Sequence, residues 1–128
     1  MNKIEHHIII CLASNEQQEK HLAAAREQLS LLFNNLHFTS EHWTDPVYGH
    51  SMFNVPSRKY LNQLCSATTQ YGMNLTNEVL KEIEKRLGRT RNEDGIVTID
   101  LDLLAYDGEK HHLRDWDRSY VKDLINEL

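Results

Sequence analysis

The chain is poor in the residues that mark special classes of protein. It has two cysteines, two prolines and five glycines in 128 residues, and no apolar run approaches the ~20 residues that a membrane-spanning helix needs. The longest run, IIICLA at 8–13, follows Glu5, His6 and His7 and lacks the cationic start and small-residue cleavage site of a signal peptide. A cytoplasmic protein without membrane contact is therefore expected. Cys11 and Cys65 each sit inside an apolar run with no C-x-x-C spacing, so buried free thiols are expected in place of a disulfide or a zinc site. Cations are in deficit too: 14 Lys and Arg stand against 19 Asp and Glu, a net charge of −5. That balance argues against a general binder of nucleic acid or anionic membrane, both of which need surplus positive charge. An anionic ligand would have to be met by a local basic cluster.

What is present is an ordinary folded composition, 40% hydrophobic and 26% charged, in a length that suits one domain over 1–128 around one core. No internal repeat or low-complexity stretch interrupts it. HHIIICLAS (6–14) reads as a strand from its isoleucine run. Ser14 is placed to cap a following helix, with Gln17 completing a capping box. Leu22, Ala25, Leu29, Leu32 and Phe33 then recur at helical spacing up to Asn34. LHFTSEHWT (36–44) alternates as a second strand. The segment from Asp45 to Ser57 holds both prolines and Gly49 and reads as a surface loop. RKYLNQLCSATTQY (58–71) is a third strand, whose apolar positions Leu61, Leu64 and Ala67 imply a twist or bulge. A second helix runs from about Thr76 through Val79, Leu80, Ile83 and Leu87 to a cap at Gly88. TIDLDLLAYDG (98–108) is a fourth strand stopped by the turn dipeptide Asp107-Gly108, and DRSYVKDLINEL (117–128) reads as a terminal helix. The order β-α-β-β-α-β predicts an α+β, ferredoxin-like sandwich, an antiparallel sheet with helices on one face.

The fourth strand carries two aspartates. Side chains at i and i+2 of a strand share a face, so Asp100 and Asp102 stand together while Ile99, Leu101 and Leu103 turn the other way, toward the helices. Asp is a poor strand former, and two adjacent carboxylates oppose each other's ionisation unless a cation sits between them. Mg²⁺ takes carboxylate oxygens together with waters and substrate phosphates, so the pair suits a nucleotide–metal platform. The bland alternative is a solvated strand face. Immediately upstream, LKEIEKRLGRTR (80–91) brings Lys81, Lys85, Arg86, Arg89 and Arg91 against Glu82 and Glu84. Pairs along a helix surface account for Lys81, Lys85 and Arg86. Arg89 and Arg91 fall beyond the helix, where guanidinium groups can bind phosphate bidentately.

The runs L-G-R-T-R (87–91) and T-I-D-L-D-L-L (98–104) resemble the signature of the hydroxymethyl-dihydropterin pyrophosphokinase (HPPK) family of folate biosynthesis. Ala13-Ser14-Asn15, Tyr60-Leu61-Asn62 and H-L-R-D-W-D-R-S-Y (112–120) resemble further family segments in the same order. The resemblance implies pyrophosphoryl transfer from ATP to a pterin alcohol, with AMP as the second product. It implies that Asp100 and Asp102 hold two Mg²⁺ ions with ATP, and that Arg89, Arg91, His112 and Arg118 contact the triphosphate. Arg118 would also stabilise charge as AMP leaves. Asn62 would bond the pterin edge between Tyr60 and Tyr120, stacked on its two faces. A monomer is expected. The chain departs from the family where a Trp-Gly-Pro-Arg loop normally precedes the aspartates: it has only N-E-D-G-I-V (92–97), which adds Glu93 and Asp94. Ala13 replaces a glycine, Leu113 a proline, and the family usually continues further after the terminal helix. The expectations are therefore a compact pyrophosphokinase or, alternatively, a catalytically silent relative that binds nucleotide or pterin as a regulatory module.

Overall fold

A computed structural model describes residues 4–45, 58–89 and 95–128. Apart from Asp45, the expected loop over 45–57 lies outside the described residues, as do Arg91, Glu93 and Asp94. The chain folds as β1 (His6–Ser14), α1 (Gln18–Leu32), β2 (Asn34–Phe38), β3 (His42–Thr44), β4 (Tyr60–Thr69), α2 (Met73–Arg86), β5 (Asp100–Tyr106) and β6 (Glu109–Lys110). Two short helices, α3 (Leu113–Trp116) and α4 (Ser119–Leu124), and a 3₁₀ turn (Ile125–Glu127) complete it. The sheet order is β2-β4-β1-β5-β6, with β3 also on β4, and every pairing is antiparallel. This is the α+β ferredoxin-like arrangement that the element order predicts, with β2 and β3 sharing the place of its second strand. Among the described residues no helix is long and apolar enough to cross a membrane.

The main core follows from period-2 and period-3.6 patterns meeting face to face. Ile8, Ile10 and Leu12 of β1, Leu61, Cys65 and Ala67 of β4, and Leu101 and Leu103 of β5 pack against Leu22, Ala25 and Leu29 of α1 and Leu80 and Ile83 of α2. The opposite sheet face is covered in part by the C-terminal helices: Cys11, Leu64 and Leu104 pack on Val121 and Leu124. The expected single helix over 117–128 is instead the short α4 followed by a 3₁₀ turn, folded onto the sheet. Both cysteines are free and buried.

Four local expectations are corrected. Ser14 does not cap α1. Its hydroxyl turns instead to Glu16, donating to the carbonyl at 3.0 Å and accepting from the amide at 3.3 Å, and Gln17 enters the helix with a left-handed backbone (φ 43). The strand expected over 36–44 breaks at Thr39, whose hydroxyl accepts the Leu64 amide at 3.0 Å while Gln63 donates to its carbonyl at 2.7 Å. The third strand pairs with β1 in unbroken register from His6↔Thr69 to Ser14↔Leu61. Its Leu61, Leu64 and Ala67 spacing therefore reflects burial on both faces, with Leu64 on the C-terminal helix side; the irregularity in its pairing lies against β2, where the register shifts between Asn34 and His37. Finally, α2 starts at Met73, three residues early, and Thr76 is buried with its hydroxyl donating to the Gly72 carbonyl at 2.9 Å.

Candidate active site

The register of three strands builds the floor of a cavity. Cross-strand partners share a face, so His42, Asn62, Ala13 and Asp100 form one row across β3, β4, β1 and β5, and Leu64, Cys11 and Asp102 the next. Tyr60 lies one step along β4, beside Thr44. The small Ala13 separates Asn62 from Asp100. Asp115, Arg118, Ser119 and Tyr120 from the α3–α4 segment wall the space, a cavity of about 380 Å³ also lined by Thr44 and Asp45. Six of the residues singled out in the sequence meet here: Tyr60, Asn62, Asp100, Asp102, Arg118 and Tyr120. Arg89 and His112 reach the aspartates from the rim, while Arg91 lies outside the described residues.

Gly88 explains how Arg89 gets there. With φ 98 it ends α2, its amide bonding the Lys85 carbonyl and the Arg89 amide the Glu84 carbonyl, each at 3.0 Å. This paired closure satisfies the last carbonyls of a helix and needs a left-handed residue. It also fixes Arg89 beside Glu84. Arg89 Nη1 donates to Asp100 Oδ1 at 2.8 Å and to the Ile99 carbonyl at 3.3 Å, and lies 3.1 Å from Glu84 Oε1.

Glu84 and Lys81 were not singled out as site residues, yet both belong to this cluster. Among the described residues β6 pairs only with Ala105 and Tyr106, and the first half of β5 forms an edge. Its outward amide and carbonyl at Leu101 are met by side chains from α2: the amide donates to Glu84 Oε2 at 2.7 Å, and Lys81 Nζ donates to the carbonyl at 3.3 Å. Glu84 is buried. A signal for it existed, because Glu84 falls on the same helical stripe as Thr76, Leu80, Ile83 and Leu87, and a carboxylate in an apolar stripe needs partners. Lys81 carried no such signal. Its Nζ lies 3.1 Å from Glu84, 3.5 Å from Asp102 and 4.0 Å from Asp100, and its pairing with Glu84 resembles an ordinary helix-surface contact.

The cluster therefore places three carboxylates, Glu84, Asp100 and Asp102, against two permanent cations, Lys81 and Arg89. The protonation of the aspartates reflects the shortfall. Burial opposes ionisation of Asp100, but hydrogen bonds from Asp102 and Arg89 outweigh it and hold its carboxyl below the usual range. Burial and then the Asp100 charge push Asp102 up to about 6, against weaker opposing pulls from Lys81 and His112. His112 Nε2 is 4.0 Å from Asp102 Oδ1. A bound cation at this pair would remove the repulsion that keeps the proton there. Among the described residues no group of three or more His, Cys, Asp or Glu could hold a metal ion. The donor set is two carboxylates, which fits a Mg²⁺ ion that takes its other ligands from waters and phosphates.

Away from the aspartates the cavity is lined by Tyr60, Asn62 and Tyr120. Asn62 donates through Nδ2 to the His42 carbonyl at 3.0 Å and to Thr44 Oγ1 at 2.8 Å, which leaves its carbonyl as the group it can offer a ligand. Tyr120 stacks one ring face on His42, with centroids 6.2 Å apart. Burial raises its hydroxyl and the neighbouring Cys11 thiol well above their ordinary pKa. Burial and then Asp100 also raise Tyr60. Arg118 is held by Asp115 at 2.9 Å. Asn15 braces the site from outside: it exchanges backbone and side-chain bonds with Gly95 and Val97, tying the end of β1 to the approach to β5.

The family model described as 7,8-dihydro-6-hydroxymethylpterin-pyrophosphokinase (HPPK) matches residues 9–128. No curated protein matches the chain.

Proposed function

The chain belongs to the 7,8-dihydro-6-hydroxymethylpterin-pyrophosphokinase family, and on that premise we propose that it moves a pyrophosphoryl group from ATP to 6-hydroxymethyl-7,8-dihydropterin. The pterin hydroxyl oxygen attacks the β-phosphorus, the bond between that phosphorus and the α–β bridging oxygen breaks, and the hydroxyl proton is lost. The products are the pterin diphosphate and AMP. The observation that carries this reading is that Asp100 and Asp102 share one cavity with Arg118, Asn62 and the two tyrosines, so a phosphate-binding end and a ring-binding end adjoin.

Asp100 and Asp102 are the residues that would hold Mg²⁺, two ions with ATP, and Mg²⁺ there supplies charge neutralisation and orientation of the phosphates. Arg89, Arg91, His112 and Arg118 bind the triphosphate, and Arg118 stabilises charge on departing AMP. The Asn62 carbonyl accepts from the pterin edge, Tyr60 covers one ring face, and Tyr120 meets the other with the face not stacked on His42. The same reading makes the protein a cytoplasmic monomer. Asp100→Asn or Asp102→Asn should reduce Mg²⁺-dependent ATP binding at least about tenfold while leaving the fold intact, because each removes one of two hard-cation ligands. Calorimetric titration checks this, and unchanged affinity in both variants contradicts the reading.

A catalytically silent relative is the second reading, and one observation favours it. Arg118 is engaged by Asp115, and the Asn62 donors by His42 and Thr44, so these groups are held by the protein itself. Turnover separates the two.

A further inference from the structure

Lys81 is the one cation of the cluster without a part in the reaction proposed above. It projects from α2 past the edge of β5, and its ammonium lies 3.5 Å from Asp102 Oδ1 and 4.0 Å from Asp100 Oδ1. Two further contacts hold it independently of the aspartates: Glu84 Oε2 at 3.1 Å and the Leu101 carbonyl at 3.3 Å. Glu84 is itself fixed by the Leu101 amide and Arg89. The ammonium is thus tethered at the site even when the aspartates are occupied by something else. Its side chain is 51% exposed, so the head can turn about that tether with little loss of packing.

Resting on the proposed function, we propose that Lys81 is a phosphate-binding residue of this site which, in the nucleotide-free protein, fills the charge position of the divalent cation at Asp100 and Asp102. The consequence is a change of sign. Without nucleotide, Lys81 and a divalent ion repel each other across the same two carboxylates and compete for them. With ATP present, the phosphates supply new anionic oxygens, and the tethered ammonium faces these while the metal keeps the aspartates. Without nucleotide the lysine stays charged: burial works against the ammonium, but Glu84 and the aspartates more than offset it.

The test is a pair of titrations on the purified chain, with Mn²⁺ alone and with ATP at saturating Mg²⁺. Lys81→Met should bind Mn²⁺ alone about three- to tenfold more tightly and Mg²⁺-ATP about three- to tenfold more weakly, the scale of one partly screened ion pair. Lys81→Arg, which keeps the charge, should follow the native protein in both. Lys81→Gln serves as a second uncharged variant if the methionine disturbs folding, as judged by thermal melting. Any pattern other than opposite shifts overturns the assignment. If Asp100→Asn weakens Mn²⁺ binding while neither uncharged Lys81 variant moves either affinity, the metal platform stands and the role of Lys81 falls. If neither the native chain nor the variants bind Mn²⁺ or Mg²⁺-ATP, both fall.

Discussion

Asp102 is the residue at which the electrostatics of the site become measurable. Its carboxyl rests near 6 in the fold against an ordinary 3.8, because burial and then Asp100 disfavour the second charge. A group whose pKa is raised by folding stabilises the native state while protonated, and that contribution is lost as pH rises through the folded value. In metal-free protein, Asp102→Asn should therefore be more stable than the native chain at pH 7, with the gap closing as pH falls through 6 toward 4. Thermal melts across that range check it, and a gap independent of pH would contradict it. The two aspartates were legible in the sequence because strand periodicity alone puts them on one face. Glu84 and Lys81 were less so: they act across the β5 edge, and which side chains from α2 meet Leu101 depends on how far the helix sits from the strand, which no spacing states. Asn62 was legible only through the resemblance of Tyr60-Leu61-Asn62 to a family segment, and the engagement of its donors by His42 and Thr44 was not.

Each secondary-structure element delivers its site residues through its termination or its register. The closure at Gly88 is the clearest instance, since it sets Arg89 and Glu84 side by side. A Cβ at Gly88 would meet nothing within 4 Å, so Gly88→Ala should act through backbone strain at φ 98 alone, lowering stability by about 1 kcal/mol. Chemical denaturation measures this, and an unchanged midpoint would show that the closure is not under that constraint. The cap at Gly88 and the Asp107-Gly108 turn, with φ 49 and 83, were readable because both positions use backbone that few residues adopt. The start of α1 was misread because Ser14 has a nearer partner in Glu16, and local hydroxyl contacts compete with helix capping. The β4 pattern misled because a central strand buried on both faces loses its alternation.

At the scale of the whole molecule, the fold works by bringing distant segments to one sheet face: residues near 60, near 100 and near 118 line a single cavity. The β-α-β-β-α-β order and the separation of faces followed from the sequence, because hydrophobic period fixes both. That the C-terminal residues fold back over the second face, placing Arg118 and Tyr120 opposite the aspartates, depends on the contacts of Val121 and Leu124 with Cys11, Leu64 and Leu104. These are long-range contacts between unremarkable apolar residues. The direct test of the proposed reaction is AMP formation from Mg²⁺-ATP by the purified chain with and without 6-hydroxymethyl-7,8-dihydropterin. The account predicts AMP and pterin diphosphate in equal amounts, only when the pterin is present, and lost in Asp100→Asn. Absence of AMP under conditions where both ligands bind would contradict it and leave a binding protein on a kinase fold.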